Sequence, residues 1–118
     1  MANLISRTDM TKKPAIRSKK IRASAKGRQC TAQISGICMQ QNETVVFAHL
    51  PSGTHGMGYK SDDYWGGYCC SACHDAIDGR RPYKWKSGER ESLLLRILHN
   101  SWRLMIDEGV IVIKGANV

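Results

Sequence analysis

Apolar positions recur with helical spacing through the last third of the chain. Over residues 89–108, Leu94, Leu98, Trp102 and Met105 share one side of a 3.6-residue repeat, with Leu95, Ile97 and Ile106 widening the stripe. Glu89 and Glu91 in the first turn suit the helix dipole, and Gly109 supplies a stop. A helix from Glu89 to Glu108 is therefore predicted. The following Val110-Ile-Val-Ile113 predicts a short terminal strand, and helix and strand are expected to supply the apolar core. Upstream, Thr44-Val-Val-Phe-Ala-His49 is β-branched and aromatic and predicts a strand. Trp65-Gly-Gly-Tyr-Cys69 predicts a short returning strand. Ser71 to Asp78 then predicts a short helix, capped at or near Ser71 and ended by Gly79. Between the strands, Pro51 to Gly58 is a glycine-rich loop suited to tight turns.

Charge divides the chain in two. Residues 1–28 carry Arg7, Lys12, Lys13, Arg17, Lys19, Lys20, Arg22, Lys26 and Arg28 against Asp9, a net of +8 that equals the charge of all 118 residues. The remainder is neutral. This first segment has little apolar content with which to fold and no apolar run suited to a signal peptide or membrane span. It is expected to be a flexible basic arm that meets a polyanion, most naturally nucleic acid, by counterion release. A solvated tail is the plainer alternative. Residues 29–118 are expected to form the folded domain, small enough for a structural metal to help.

Five cysteines without a secretion signal point to a reducing cytoplasm, where clustered cysteines bind metal more often than they pair. Cys30 and Cys38 form one pair, and Cys70-Ser-Ala-Cys73 the other. Together they predict a four-thiolate zinc site, because zinc prefers soft sulfur ligands held tetrahedrally. Gly36 would let the chain turn back on the metal. Disulfides are the alternative, and a Cys-x-x-Cys-His run could also suggest haem attachment. Cys69 could replace Cys70 as a ligand, although the spacing favours Cys70; otherwise it is a small buried apolar residue.

His74 follows the last cysteine and His49 ends the first strand, so a strand–loop–strand–helix unit could place both imidazoles on one cleft. Here the residues resemble the HNH endonucleases in their zinc-bearing, treble-clef form with a ββα-metal finger. The likeness runs from Cys30 to Gly79 through Phe47-Ala-His-Leu50, the glycine-rich loop and Cys70-Ser-Ala-Cys-His-Asp75. Within that superfamily it points to the small prophage proteins of the YbcO-like group. The resemblance implies an α+β fold: a zinc-braced treble clef followed by a long C-terminal helix and short strand.

It also implies hydrolysis of DNA phosphodiester bonds with one catalytic divalent ion. His49 matches the general base, and His74 the helix histidine that holds the ion. Hard oxygen ligands, from Asp62 or Asp63, suit Mg²⁺ or Mn²⁺. Lys60 or Arg80 could steady the phosphate, with Arg81, Lys84 and Lys86 on the DNA backbone, the latter two beside Tyr83 and Trp85. Two departures stand out: Ala48 occupies a position where relatives place an acid or histidine, and the middle asparagine is missing, with Asp63 the nearest substitute. A recombination or replication protein is a possible director, and no membrane is expected. A non-catalytic zinc module that binds nucleic acid, or a protein–protein adaptor, would share the scaffold without needing His49.

Overall fold

In the computed structural model, residues 14–51 and 61–118 are described. Residues 52–60, which include the glycine-rich loop after Pro51 as well as Lys60, lie outside them, as do residues 1–13. Helix α1 spans Lys19–Ala23, a short 3₁₀ turn Asn42–Thr44, strand β1 Val45–His49, strand β2 Gly66–Cys70, helix α2 Ser71–Ile77 and helix α3 Glu89–Asp107. This is a small α+β arrangement. The strands form one antiparallel pair, in register from Val45 opposite Cys70 to His49 opposite Gly66.

All five residues of β2 are buried, and α3 crosses it. Gly67 permits this close approach, and Gly66 the close pairing with β1. A Cβ on Gly67 would stand 2.5 Å from Ile97 Cγ2 and collide with Ser101 Oγ, and one on Gly66 would collide with the Ala48 carbonyl. The helical stripe that faces β2 is Leu93, Ile97, Leu98, Ser101 and Met105. It is rotated from the stripe that hydropathy alone predicts: Leu95 is 67 % exposed and Leu94 and Trp102 sit at the margin. A serine occupies its centre because the strand needs a hydrogen-bond partner there. Ser101 Oγ accepts from the Tyr68 N–H at 3.1 Å, and the Tyr68 carbonyl accepts from the Thr31 N–H at 2.7 Å.

Those two bonds also occupy the outer edge of β2, so a third strand has no place beside it. Val110–Ile113 accordingly does not form the expected strand. The chain reverses at Gly109 (φ +74°), the amides of Val110 and Ile111 both donate to the Met105 carbonyl, and Val112 is 79 % exposed. The short helix α2 is capped by sulfur rather than by Ser71: Cys70 Sγ accepts from the Cys73 N–H at 3.4 Å.

Packing begins inside the basic N-terminal stretch. Ser18 caps α1, Ile21 and Ala25 are buried in the core, Ser24 Oγ lies 2.8 Å from the Tyr68 hydroxyl, and Arg28 pairs with Glu108. The edge of the folded core therefore falls before residue 19, not after residue 28. The expected arm omitted a signal of its own, the apolar Ile21 and Ala25 within the basic run, one on α1 and one in the turn that follows it.

Replacing Gly67 by Ala should destabilise the fold by about 1–3 kcal/mol, since neither β2 nor α3 can move away without losing the Tyr68–Ser101 bond. Urea unfolding measures it. An unchanged midpoint would contradict the close contact of α3 on β2.

Candidate metal centre and candidate active site

Cys30 lies at the end of the segment after α1, Cys38 at the end of an irregular loop, Cys70 at the last position of β2 and Cys73 in the first turn of α2. Their sulfur atoms all lie within 4.8 Å of one another, and Cys38 and Cys70 are 4.0 Å apart. Four sulfurs at about 2.3 Å from a tetrahedral zinc ion would be about 3.8 Å apart, so the quartet fits such an ion with little adjustment. All five cysteines are free thiols. Amides of Gln33 and Met39 point at Cys30 Sγ and Cys70 Sγ, each at 3.5 Å, as sulfurs that carry negative charge require. The backbone around the first two cysteines is unusual: between them Gly36 has φ +76° and Gln33 holds positive φ without being glycine, as does Gln40 just beyond Cys38.

The thiols are unequal. A hydrogen bond from the Cys73 thiol is the largest influence on Cys30 and pulls it down to about 4, while the same bond pushes Cys73 up. Burial pushes Cys69 up most. Cys69 is fully buried on β2 and outside the quartet, so it is a packing residue.

A second knot forms around Asp63, which is fully buried. Its Oδ1 accepts from Arg17 Nη1 at 3.2 Å and is 2.8 Å from His49 Nε2. Its Oδ2 accepts from the Ser18 amide at 2.6 Å and Arg22 Nε at 3.1 Å. The neighbouring Asp62 Oδ1 accepts from the Ile16 amide at 2.7 Å, and the Asp63 amide donates to the Ile16 carbonyl at 2.8 Å. Residues 16–18 thus run across the turn that precedes β2. Burial alone would raise the Asp63 carboxyl; bonds from His49, Ser18 and Arg17, with the charge of Arg22, outweigh it and hold the group below the usual carboxylate range.

An ionised carboxylate only accepts hydrogen bonds, so His49 Nε2 must carry the proton toward Asp63. In the neutral ring the opposite nitrogen, Nδ1, is then the one that carries the lone pair. The ring is 29 % exposed, with Phe47 set edge-on at 5.3 Å. Such a carboxylate–imidazole pair can orient a general base.

His74 has a different partner. Its Nε2 lies 3.0 Å from Asp78 Oδ2, one turn along α2, and Arg80 bridges Asp78 and Asp75 at 3.1 and 3.0 Å. Among the described residues, the cysteine quartet is the only group of three or more such side chains placed to share an ion, and His74, Asp62 and Asp63 do not form one. Arg80 is already committed to two carboxylates. Arg81, Lys84 and Lys86 are exposed, and the Tyr83 and Trp85 rings stack edge to face at 4.6 Å. Arg17, Ser18 and Arg22 were read as arm; their place at the Asp63 knot is a tertiary fact that no spacing announces.

The family model described as "Putative nuclease YbcO" matches residues 19–103. The curated "Putative nuclease YbcO" of Escherichia coli (strain K12) is 37 % identical over 92 residues, which cover 77 % of this chain and 95 % of that protein. "Putative nuclease ybcO" of Enterobacteria phage 82 matches to the same extent. The solved "Structure of a putative bacteriophage protein from Escherichia coli str. K-12 substr. MG1655" superposes with a TM-score of 0.61 at 33 % identity, covering 76 % of this chain and 100 % of that one. No helix among the described residues is long and apolar enough to cross a membrane.

Cys70→Ser should lower bound zinc, read by metal analysis of the purified protein, and lower the melting temperature with it, whereas Cys69→Ser should keep the metal. Full zinc in Cys70→Ser would refute the ligand set. Asp63 yields a pH prediction. A carboxyl held below its usual value adds stability above the unfolded-state pKa, near 3.9, and loses it as pH falls through the folded value. Urea midpoints should therefore fall below about pH 4 in the parent. They should fall less in Asp63→Asn; identical acid limbs would show that Asp63 is not the ionised hub.

Proposed function

This chain belongs to the YbcO family, and from that membership we propose that it is a metal-dependent DNA endonuclease of the HNH type, with a treble-clef scaffold around structural zinc. The observation that carries the proposal is the His49–Asp63 pair. A buried, ionised carboxylate 2.8 Å from Nε2 leaves Nδ1 free to take a proton from an attacking water. Asp63, with both oxygens engaged, serves as the positioning carboxylate. A carboxylate–imidazole pair alone recurs in many proteins; a pair at the opposite end of the hairpin from a four-cysteine centre, in a family described as "Putative nuclease YbcO", supports this reading over a purely structural one.

Zinc suits the quartet because four thiolates form a soft, closed set with no open position, which favours a structural role. The catalytic ion would be Mg²⁺ or Mn²⁺, with His74 as its protein ligand. A hard ion keeps several waters and takes phosphate oxygens, so few protein ligands suffice. When bound, it would offset charge on the phosphate and the leaving oxygen. Arg81, Lys84 and Lys86 would follow the DNA backbone, with Lys60 and the N-terminal basic segment adding sequence-independent affinity. The relatives' names support a phage or prophage setting and hence action in the bacterial cytoplasm.

Purified protein incubated with supercoiled plasmid and Mg²⁺ or Mn²⁺ should nick it. His49→Ala should lower the rate roughly 10²–10⁴-fold while keeping zinc content and fold. Binding without cutting, unchanged in His49→Ala, would overturn the enzyme reading and leave a zinc-containing nucleic-acid-binding module.

A further inference from the structure

The Asp63 knot contains two groups that orienting His49 does not require. Arg17 and Arg22 are both held by the buried carboxylate, yet their side chains are 42 % and 45 % exposed. Among the described residues, their fixed donors are few. Arg17 Nη1 serves the Ser61 carbonyl at 2.8 Å and Asp63 Oδ1, and Arg22 Nε serves Asp63 Oδ2 and the Ser18 carbonyl at 3.4 Å. A guanidinium carries five N–H donors in a planar fork. Each therefore retains hydrogens on its other nitrogens, in a group whose position is already set. Arginine preorganised in this way loses less conformational entropy when it meets an anion than a mobile surface lysine does.

The location narrows the anion. Arg17 Nη1 and His49 Nε2 share Asp63 Oδ1, at 3.2 and 2.8 Å, so they can be no more than about 6 Å apart. The guanidinium groups lie on the Nε2 side of the imidazole, whereas the free Nδ1 looks away from Asp63. A phosphate attacked by water at Nδ1 would not itself touch the arginines, but the next phosphate along the same strand would come toward them.

We propose that Arg17 and Arg22 form a clamp for the backbone phosphate adjacent to the one that is cut. The clamp rests on the reading of His49 as the base. It makes the start of the basic segment part of the site: one carboxylate both orients the imidazole and fixes the two groups that set the register of the strand beside it. Asp62, next to Asp63 in the chain, accepts from the Ile16 amide through Oδ1. The clamp acts by binding and positioning, and contributes no proton transfer.

A fluorescently labelled DNA duplex, titrated over a range of salt without added divalent ion, tests it. Arg22→Gln and Arg17→Gln should each weaken binding by roughly tenfold at low salt. Each should also reduce the slope of log K against log salt by about 1, a change that loss of a merely structural ion pair would not produce. Equal slopes in parent and both variants overturn the clamp. Should the glutamine variants fail to fold, the arginine Nε–H resonances of the parent are followed by NMR as duplex is added. Shifts at Arg17 and Arg22 support contact, and none overturns it. The plasmid assay separates the two readings. Altered slopes with no cutting by the parent leave Arg17 and Arg22 as phosphate contacts but overturn both the nuclease and a clamp beside a cut phosphate, whereas cutting with unaltered slopes keeps the nuclease and overturns the clamp.

Discussion

Four sulfur atoms within 4.8 Å of one another are the constraint on which the rest of the molecule depends. They come from an irregular loop and from the junction of β2 with α2, regions that share no ladder hydrogen bonds. Without an ion, that many buried thiols would be held together by weak hydrogen bonds and the packing of a small core. With one, the loop that bears Cys30 and Cys38 becomes a fixed wall, and the left-handed backbone at Gln33 and Gln40 is stabilised by the geometry it permits. Cys70 serves twice, as a quartet member and as the cap of α2. The same residue thus sets where the strand ends, where the helix begins and where a metal would sit.

From that fixed end the hairpin carries position to the other. Val45 faces Cys70 and His49 faces Gly66, so the five-residue ladder spans the distance between the sulfur centre and the histidine. At the far end a different physics takes over. Asp63 is held by charge-assisted hydrogen bonds that depend on ionisation, where the quartet depends on soft covalent character. Residues 16–18 and α1 close over this end, and Ile21 and Ala25 anchor them in the core. The first basic residues of the chain therefore help to build the site that the hairpin presents.

Much of this could be read from the residues in order. The β-branched run before His49, the glycines before Tyr68 and the long amphipathic segment each became the expected element, because local propensity and burial agree there. The quartet was readable because thiolate spacing has few other uses in a chain of this kind. What escaped depended on distant partners. Ser101 lies in the helix stripe because the Tyr68 amide needs an acceptor, a demand set by another element. Val110–Ile113 has strand composition, but the outer edge of β2 is already taken by Ser101 and Thr31. Arg17 and Arg22 looked like part of a solvated charge run, and only the fold brings a buried carboxylate to them. Asp63 itself was expected near metal; the four partners that occupy both its oxygens come from distant parts of the chain.

Function is proposed from both knots together: a closed sulfur centre that stabilises, and an open carboxylate–imidazole pair that can act. The first is prior, since a hairpin without a fixed end would not hold His49 against Asp63. A zinc-edge X-ray absorption spectrum of the purified protein probes it most directly. Four sulfur neighbours at about 2.3 Å are predicted. A metal surrounded mainly by nitrogen and oxygen, or a metal-free protein whose cysteines are paired in disulfides, would contradict it.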